Sequence, residues 1–134
     1  MYEVTLWPVL AAGVASLVIG FIWFHPKVFG AKWMQLANIS PQAAEAAKKM
    51  MPAMAFFGFC ASVVIAYVMN HFGIAWGVFD WIGGIELGFW CWLGFVAPTQ
   101  LGMVLWEGKS MKLYAITAGY WLVSFIVMGV ILTF

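Results

Sequence analysis

From Trp81 to Trp106 the chain is an apolar run in which sit one carboxylate, Glu86, one proline, Pro98, and one amide, Gln100. A helix needs roughly 20 such residues to cross about 30 Å of hydrocarbon, so this run is longer than a bilayer requires. It must tilt or bend, and Pro98 is the expected bend because it frees the carbonyl of Gly94. Lipid tolerates Glu86 and Gln100 only where protein or water covers them.

Three more runs of similar character lie at Val4 to Phe24, Ala53 to Phe72 and Leu113 to Phe134. The chain is 66% hydrophobic and 8% charged, where a soluble domain carries about 25% charged residues. No Lys or Arg precedes the first run. A cleaved leader needs a basic start, so a retained span is expected there. The expected fold is an all-α integral membrane protein, a single four-span transmembrane domain over residues 1–134. Its four helices form a bundle, with a short interfacial amphipathic helix in the first cytoplasmic loop. That helix is placed on Phe29, Trp33, Leu36 and Ala37, which share one face opposite Lys27, Lys32, Gln35 and Asn38. Ser40-Pro41 reads as a helix start, with Ser as the cap and Pro in the first turn. Pro52 marks a kink or a fresh start.

Small residues recur every four positions at Ala12-Ser16-Gly20, at Gly58-Ser62-Ala66 and at Gly84-Gly88. Such ladders let helices approach closely, and at least one is expected to join subunits. Pro26 and Gly30 close the first span as P-x-x-x-G, and Pro98 and Gly102 repeat that spacing late in the third.

All six lysines lie in two connections, Lys27, Lys32, Lys48 and Lys49 after the first span and Lys109 and Lys112 after the third. By the positive-inside rule those loops are cytoplasmic and both termini face outward, in the inner membrane of a bacterium. There is no Arg and the net charge is +1, so no basic surface exists for nucleic acid.

Local motifs resemble a bacterial membrane family catalogued as domain of unknown function 1761. They are Trp23-Phe24-His25-Pro26, Phe29-Gly30 and Trp33-Met34, then Gly94-Phe95-Val96-Ala97-Pro98 and Trp106-Glu107-Gly108-Lys109, and finally Gly119-Tyr120 and Met128-Gly129. The resemblance covers nearly the whole chain and implies a four-span membrane protein, with no activity attached. The family more often has Ser before the first of these prolines, where this chain has His25.

Glu86, Gln100 and Glu107 stand at heptad positions and share a helix face over roughly 30 Å. With Tyr120 as a hydroxyl donor from the last span, they form a candidate ion or proton site. Equally, Glu86 can fix packing by bonding a neighbouring helix. Thr117, Tyr120 and Ser124 share one face of the last span, and Ser16 offers a hydroxyl from the first. His25, with Trp23 and Trp33, belongs at the interface. His71 ends the second span a membrane thickness away, so the two histidines cannot share a metal. Cys60 and Cys91 are isolated in apolar runs and read as buried small hydrophobes. Asp80 and Glu86, six residues apart, fall on different helix faces. No catalytic triad, metal motif or phosphate loop is present. No catalytic residue, cofactor or metal is therefore expected. The expected function is transport or permeation of a small molecule or ion across the lipid bilayer by a homo-oligomer. The alternative is a non-catalytic accessory subunit of a larger membrane complex.

Overall fold

Side-chain caps start three of the helices, those that begin at Pro41, Trp81 and Met111. Ser40 Oγ accepts the Ala43 N–H at 3.0 Å, with Pro41 in the first turn. Asp80 Oδ1 accepts the Gly83 N–H at 2.8 Å, and Ser110 Oγ accepts the Lys112 N–H at 3.0 Å. Stops are equally local. Asn38, Gly77 and Gly108 have positive φ, and the N–H after each turns back to a helix carbonyl. Those bonds run from Ile39 to Met34, Val78 to Gly73 and Lys109 to Met103, each at 2.9 Å. A left-handed residue just past the last turn is the usual way to satisfy these orphan carbonyls.

In the computed structural model, which describes residues 3–134, these signals delimit five helices. They are α1 (Leu6–Trp23), α2 (Ala31–Leu36), α3 (Pro41–Ala75), α4 (Trp81–Leu105) and α5 (Met111–Ile131). All but α2 are long and apolar enough to cross a membrane. A 3₁₀ turn at Lys48–Met50 interrupts α3, and the α-helix restarts at Met51 with Pro52 in its first turn. A π turn at Trp92–Val96 interrupts α4 just before Pro98. There Thr99 Oγ1 donates to the carbonyls of Phe95 and Val96, at 2.8 and 2.9 Å. The helix ladder is thus loosened ahead of Pro98 by a π turn, with a threonine hydroxyl bonding two of its carbonyls.

The helices pack in the order α3–α1–α5–α4, with only light contact between α3 and the α4–α5 pair. The closest approach joins α4 and α5. A Cβ on Gly84 would stand 2.6 Å from the Gly129 carbonyl oxygen, and Gly88 lies as tightly against the Phe125 carbonyl. Without a hydrophobic force between helices in lipid, such close packing supplies the attraction. This glycine ladder, one of those expected to join helices or subunits, is occupied inside one chain. Around it Leu87, Cys91, Met128 and Phe125 form the core with Val9, Ala12, Ala66 and Met69.

Candidate functional site: a buried hydroxyl cluster beside an apolar cavity

Ser16 sits at the centre of α1 with no exposed surface. Three hydroxyls from two other helices converge on it. Ser62 of α3 donates to Ser16 Oγ at 3.1 Å, and Ser124 of α5 donates to the same oxygen at 2.6 Å. Tyr120 Oη donates to the Ser16 backbone carbonyl at 2.9 Å and lies 3.1 Å from Ser16 Oγ. A lone hydroxyl in a membrane helix usually bonds its own backbone. Here small residues bring α1, α3 and α5 close enough for the hydroxyls to meet each other instead. Gly20, one turn beyond Ser16, faces the Tyr120 ring end.

A cavity of about 490 Å³ opens beside this cluster. α1 supplies Leu17 and Phe21, α3 supplies Met54, Gly58 and Ser62, and α5 supplies Tyr120 and Trp121. A Cβ placed on Gly58 would meet nothing within 4 Å, so the glycine leaves open space rather than a helix contact. The size lies within the range of small-molecule sites, and so does the pattern of an apolar wall with a few convergent polar groups.

Aromatic rings close the end of the cavity near α2. Phe24 packs against both Trp33 and Tyr120, each with ring centroids 5.4 Å apart. Trp23 stacks near Phe29 and donates its indole N–H to the Ile116 carbonyl at 2.9 Å, with its ring on Gly119. From the other side of α5, Trp92 donates to the Ala118 carbonyl at 2.8 Å. The motifs at Trp23-Phe24, Phe29-Gly30, Trp33 and Gly119-Tyr120 therefore form one contact region.

His25 is exposed, and its Nδ1 accepts the Lys27 N–H at 3.1 Å at the start of the Pro26–Gly30 π turn. That is the task a serine performs at a cap. The two P-x-x-x-G segments differ in structure. Pro26–Gly30 is itself a π turn, whereas Pro98 follows one.

The four candidate ion-site residues are dispersed. Tyr120 is in the hydroxyl cluster. Glu86 is exposed and has no hydrogen-bond or ion-pair partner among the described residues; it lines a hollow of about 330 Å³ with Asp80, Trp76 and Trp90. Asp80 reaches that hollow because it caps α4 from outside the helix, so helical spacing does not apply to the pair. Gln100 is half-buried, and its Oε1 is buried without a donor among the described residues. Glu107 is exposed at the far end of α4, in a hollow shared with Trp33, Lys109 and Thr117. The two lysine-bearing connections thus meet at one end of the molecule. Among the described residues no group of three or more His, Cys, Asp or Glu could hold a metal ion.

Sequence reasoning named Ser16, Ser62, Tyr120 and Ser124 but did not join them to one another. The signal was a serine at the middle of each of three apolar runs. The cavity had no sequence signal, because Gly58 belongs to a small-residue ladder like the others.

Fold and site together define a small all-helical protein with four helices of membrane-spanning length and composition, tied at its centre by hydroxyls. The chain belongs to the family described as protein of unknown function DUF1761, whose profile matches residues 7–133. Neither the curated proteins nor the solved structures compared with it include a match.

Proposed function

We propose that this is a transport or permeation protein of the bacterial inner membrane, taking a small membrane-soluble molecule into the cavity between α1, α3 and α5. The observation that carries the reading is the cavity itself, mostly apolar along its walls and adjoining the buried cluster through Ser62 and Tyr120. In this reading α2 lies in the cytoplasmic interface and the lysine-bearing end faces the cytoplasm. The working form is a homo-oligomer. Its contacts use the exposed aromatic faces around Phe56, Phe57, Trp90 and Phe95, because the tight glycine contacts are engaged within the chain. Proteoliposomes loaded with labelled amphiphiles of slow spontaneous permeation test the transport. Release faster than from protein-free vesicles, and slowed by filling the cavity with Gly58→Leu, is the expected result. Equal release from both kinds of vesicle sinks the reading. Co-purification with foreign subunits, and no homo-oligomer in mild detergent, would favour the accessory role instead.

A second reading makes Glu86 an ion or proton site. What favours it is the unpartnered carboxylate sharing a hollow with Asp80. Glu86 lies about 8 Å along the axis from Trp81, in a hollow that exposed Trp76 and Trp90 also line. Gln100 and Glu107 lie away from that hollow and would extend such a path only through an assembly.

A further inference from the structure

The carboxylates after Glu3 divide by what stands near them. Glu45 pairs with Lys48 at 2.9 Å, and Glu107 shares a hollow with Lys109. Asp80 and Glu86 share another hollow, of about 330 Å³, where α3 ends and α4 begins. No Lys lines it, because every Lys lies in the first and third connections. His71 packs T-shaped against Tyr67 on α3 and does not line the hollow either. The fold uses little of the two carboxylates. Asp80 Oδ1 accepts the Gly83 N–H that caps α4. Asp80 Oδ2 and both oxygens of Glu86 have no partner among the described residues.

Two indoles complete the walls. Trp76 is held by a stack on Phe72, with ring centroids 5.7 Å and planes 8° apart, and Phe72 stacks in turn on Phe95 of α4. A parallel stack occupies one indole face and leaves the other. Trp90 stands one turn beyond Glu86 on the same side of α4. An indole face attracts a cation through its quadrupole but offers a metal ion no lone pair. A hard metal ion takes six or more oxygen ligands, and among the described residues no three of His, Cys, Asp and Glu come together to hold one. Two carboxylates between aromatic walls suit a larger cation with diffuse charge and an apolar skin.

We infer that this hollow binds an organic ammonium group, its charge against Asp80 and Glu86 and its alkyl surface against Trp76 and Trp90. That names the ion of the Glu86 reading above and rests on it for the site alone, not for flux. A lipid headgroup and a free solute both present such a group.

The test uses the full-length protein in nanodiscs of an uncharged glycolipid, with radiolabelled choline as the probe and equilibrium dialysis as the readout. Saturable binding is expected, and the isosteric alcohol with carbon in place of nitrogen should not compete. Glu86→Gln and Trp90→Leu should each weaken binding by roughly two- to fivefold, the discrimination of one exposed ion pair or one exposed cation–π contact. Trp90→Phe should recover part of that loss, because it restores an aromatic face. Both side chains are exposed, so helicity should stay at the wild-type level. Phosphatidylethanolamine added to the discs sorts the source. Displacement of choline assigns the hollow to a lipid headgroup, and unchanged binding assigns it to a free cation. Equal competition by choline and the alcohol, or full binding in both the Gln and the Leu variants, overturns the ammonium site. Displacement of choline by micromolar calcium overturns it in favour of a metal ion. Choline bound as described, with flux indifferent to Glu86→Gln, would sustain this inference while sinking Glu86 as a transport site. No choline binding, with flux lost in Glu86→Gln, would do the reverse.

Discussion

At the scale of single residues, Ser16 is the hub on which three helices close. Two serine protons end on its hydroxyl oxygen and a tyrosine proton on its carbonyl. Ser16→Ala leaves the Ser62 and Ser124 protons without their acceptor in a dry environment, at a cost of about 1–3 kcal/mol. Ser124→Ala removes one bond and strands nothing, a loss nearer the ~0.6 kcal/mol typical of a single bond between membrane helices. Thermal melting in detergent should rank the two variants in that order. Gln100 gives the opposite sign. Its buried Oε1 meets no donor among the described residues. Gln100→Met, of similar shape without the orphan acceptor, should raise the melting midpoint, by up to about 1–3 kcal/mol of stability. Residue types were legible in the sequence here; partners were not. A serine in an apolar helix can bond its own backbone or another helix. Only the relative rotation of α1, α3 and α5 decides, and no local signal encodes it.

At the scale of elements, the small-residue ladders look alike in sequence and differ in use. Gly84 and Gly88 meet α5 backbone, while Gly58 meets nothing. Gly88→Ala must push α4 away from the Phe125 carbonyl and loosen the most extensive helix pair, so it should lower the melting midpoint sharply. Gly58→Ala should raise stability by about 0.5–1 kcal/mol, because it only removes backbone freedom from an unfolded helix position. Equal effects in the two variants would show that the contacts around these glycines are misplaced. Helix limits were readable because Ser40, Asp80, Ser110 and the turn residues Asn38, Gly77 and Gly108 act locally. An irregularity near Pro98 was readable for the same reason. Its form was not, because the π turn lies ahead of the proline, where Trp92 also docks on the Ala118 carbonyl of another helix.

At the scale of the whole molecule, the first and third connections meet at one end, where Trp33 and Lys109 line a common hollow. Those connections hold every lysine, so that end should be cytoplasmic. Lys109→Cys in intact cells should resist a membrane-impermeant thiol reagent and react once the membrane is opened; labelling from outside would invert the molecule. The opposite end then carries Glu86 in its hollow with Asp80. That placement separates two roles by experiment. If Glu86 takes up and releases a proton during transport, Glu86→Gln removes the titrating group and should abolish proton-coupled flux in reconstituted vesicles. Folding should survive, because the exposed side chain has no partner among the described residues to lose. If Glu86 is only a hydrated carboxylate at the membrane surface, Gln keeps its polarity and its level, and flux should match the wild type. Glu86→Leu supplies the third point. An apolar residue among Trp76, Trp90 and Leu87 costs the fold nothing in either case. A loss of assembly in the Leu variant alone, with flux intact in the Gln variant, would therefore assign the carboxylate to a contact between subunits. Flux lost in both variants with assembly unchanged would assign it to the proton.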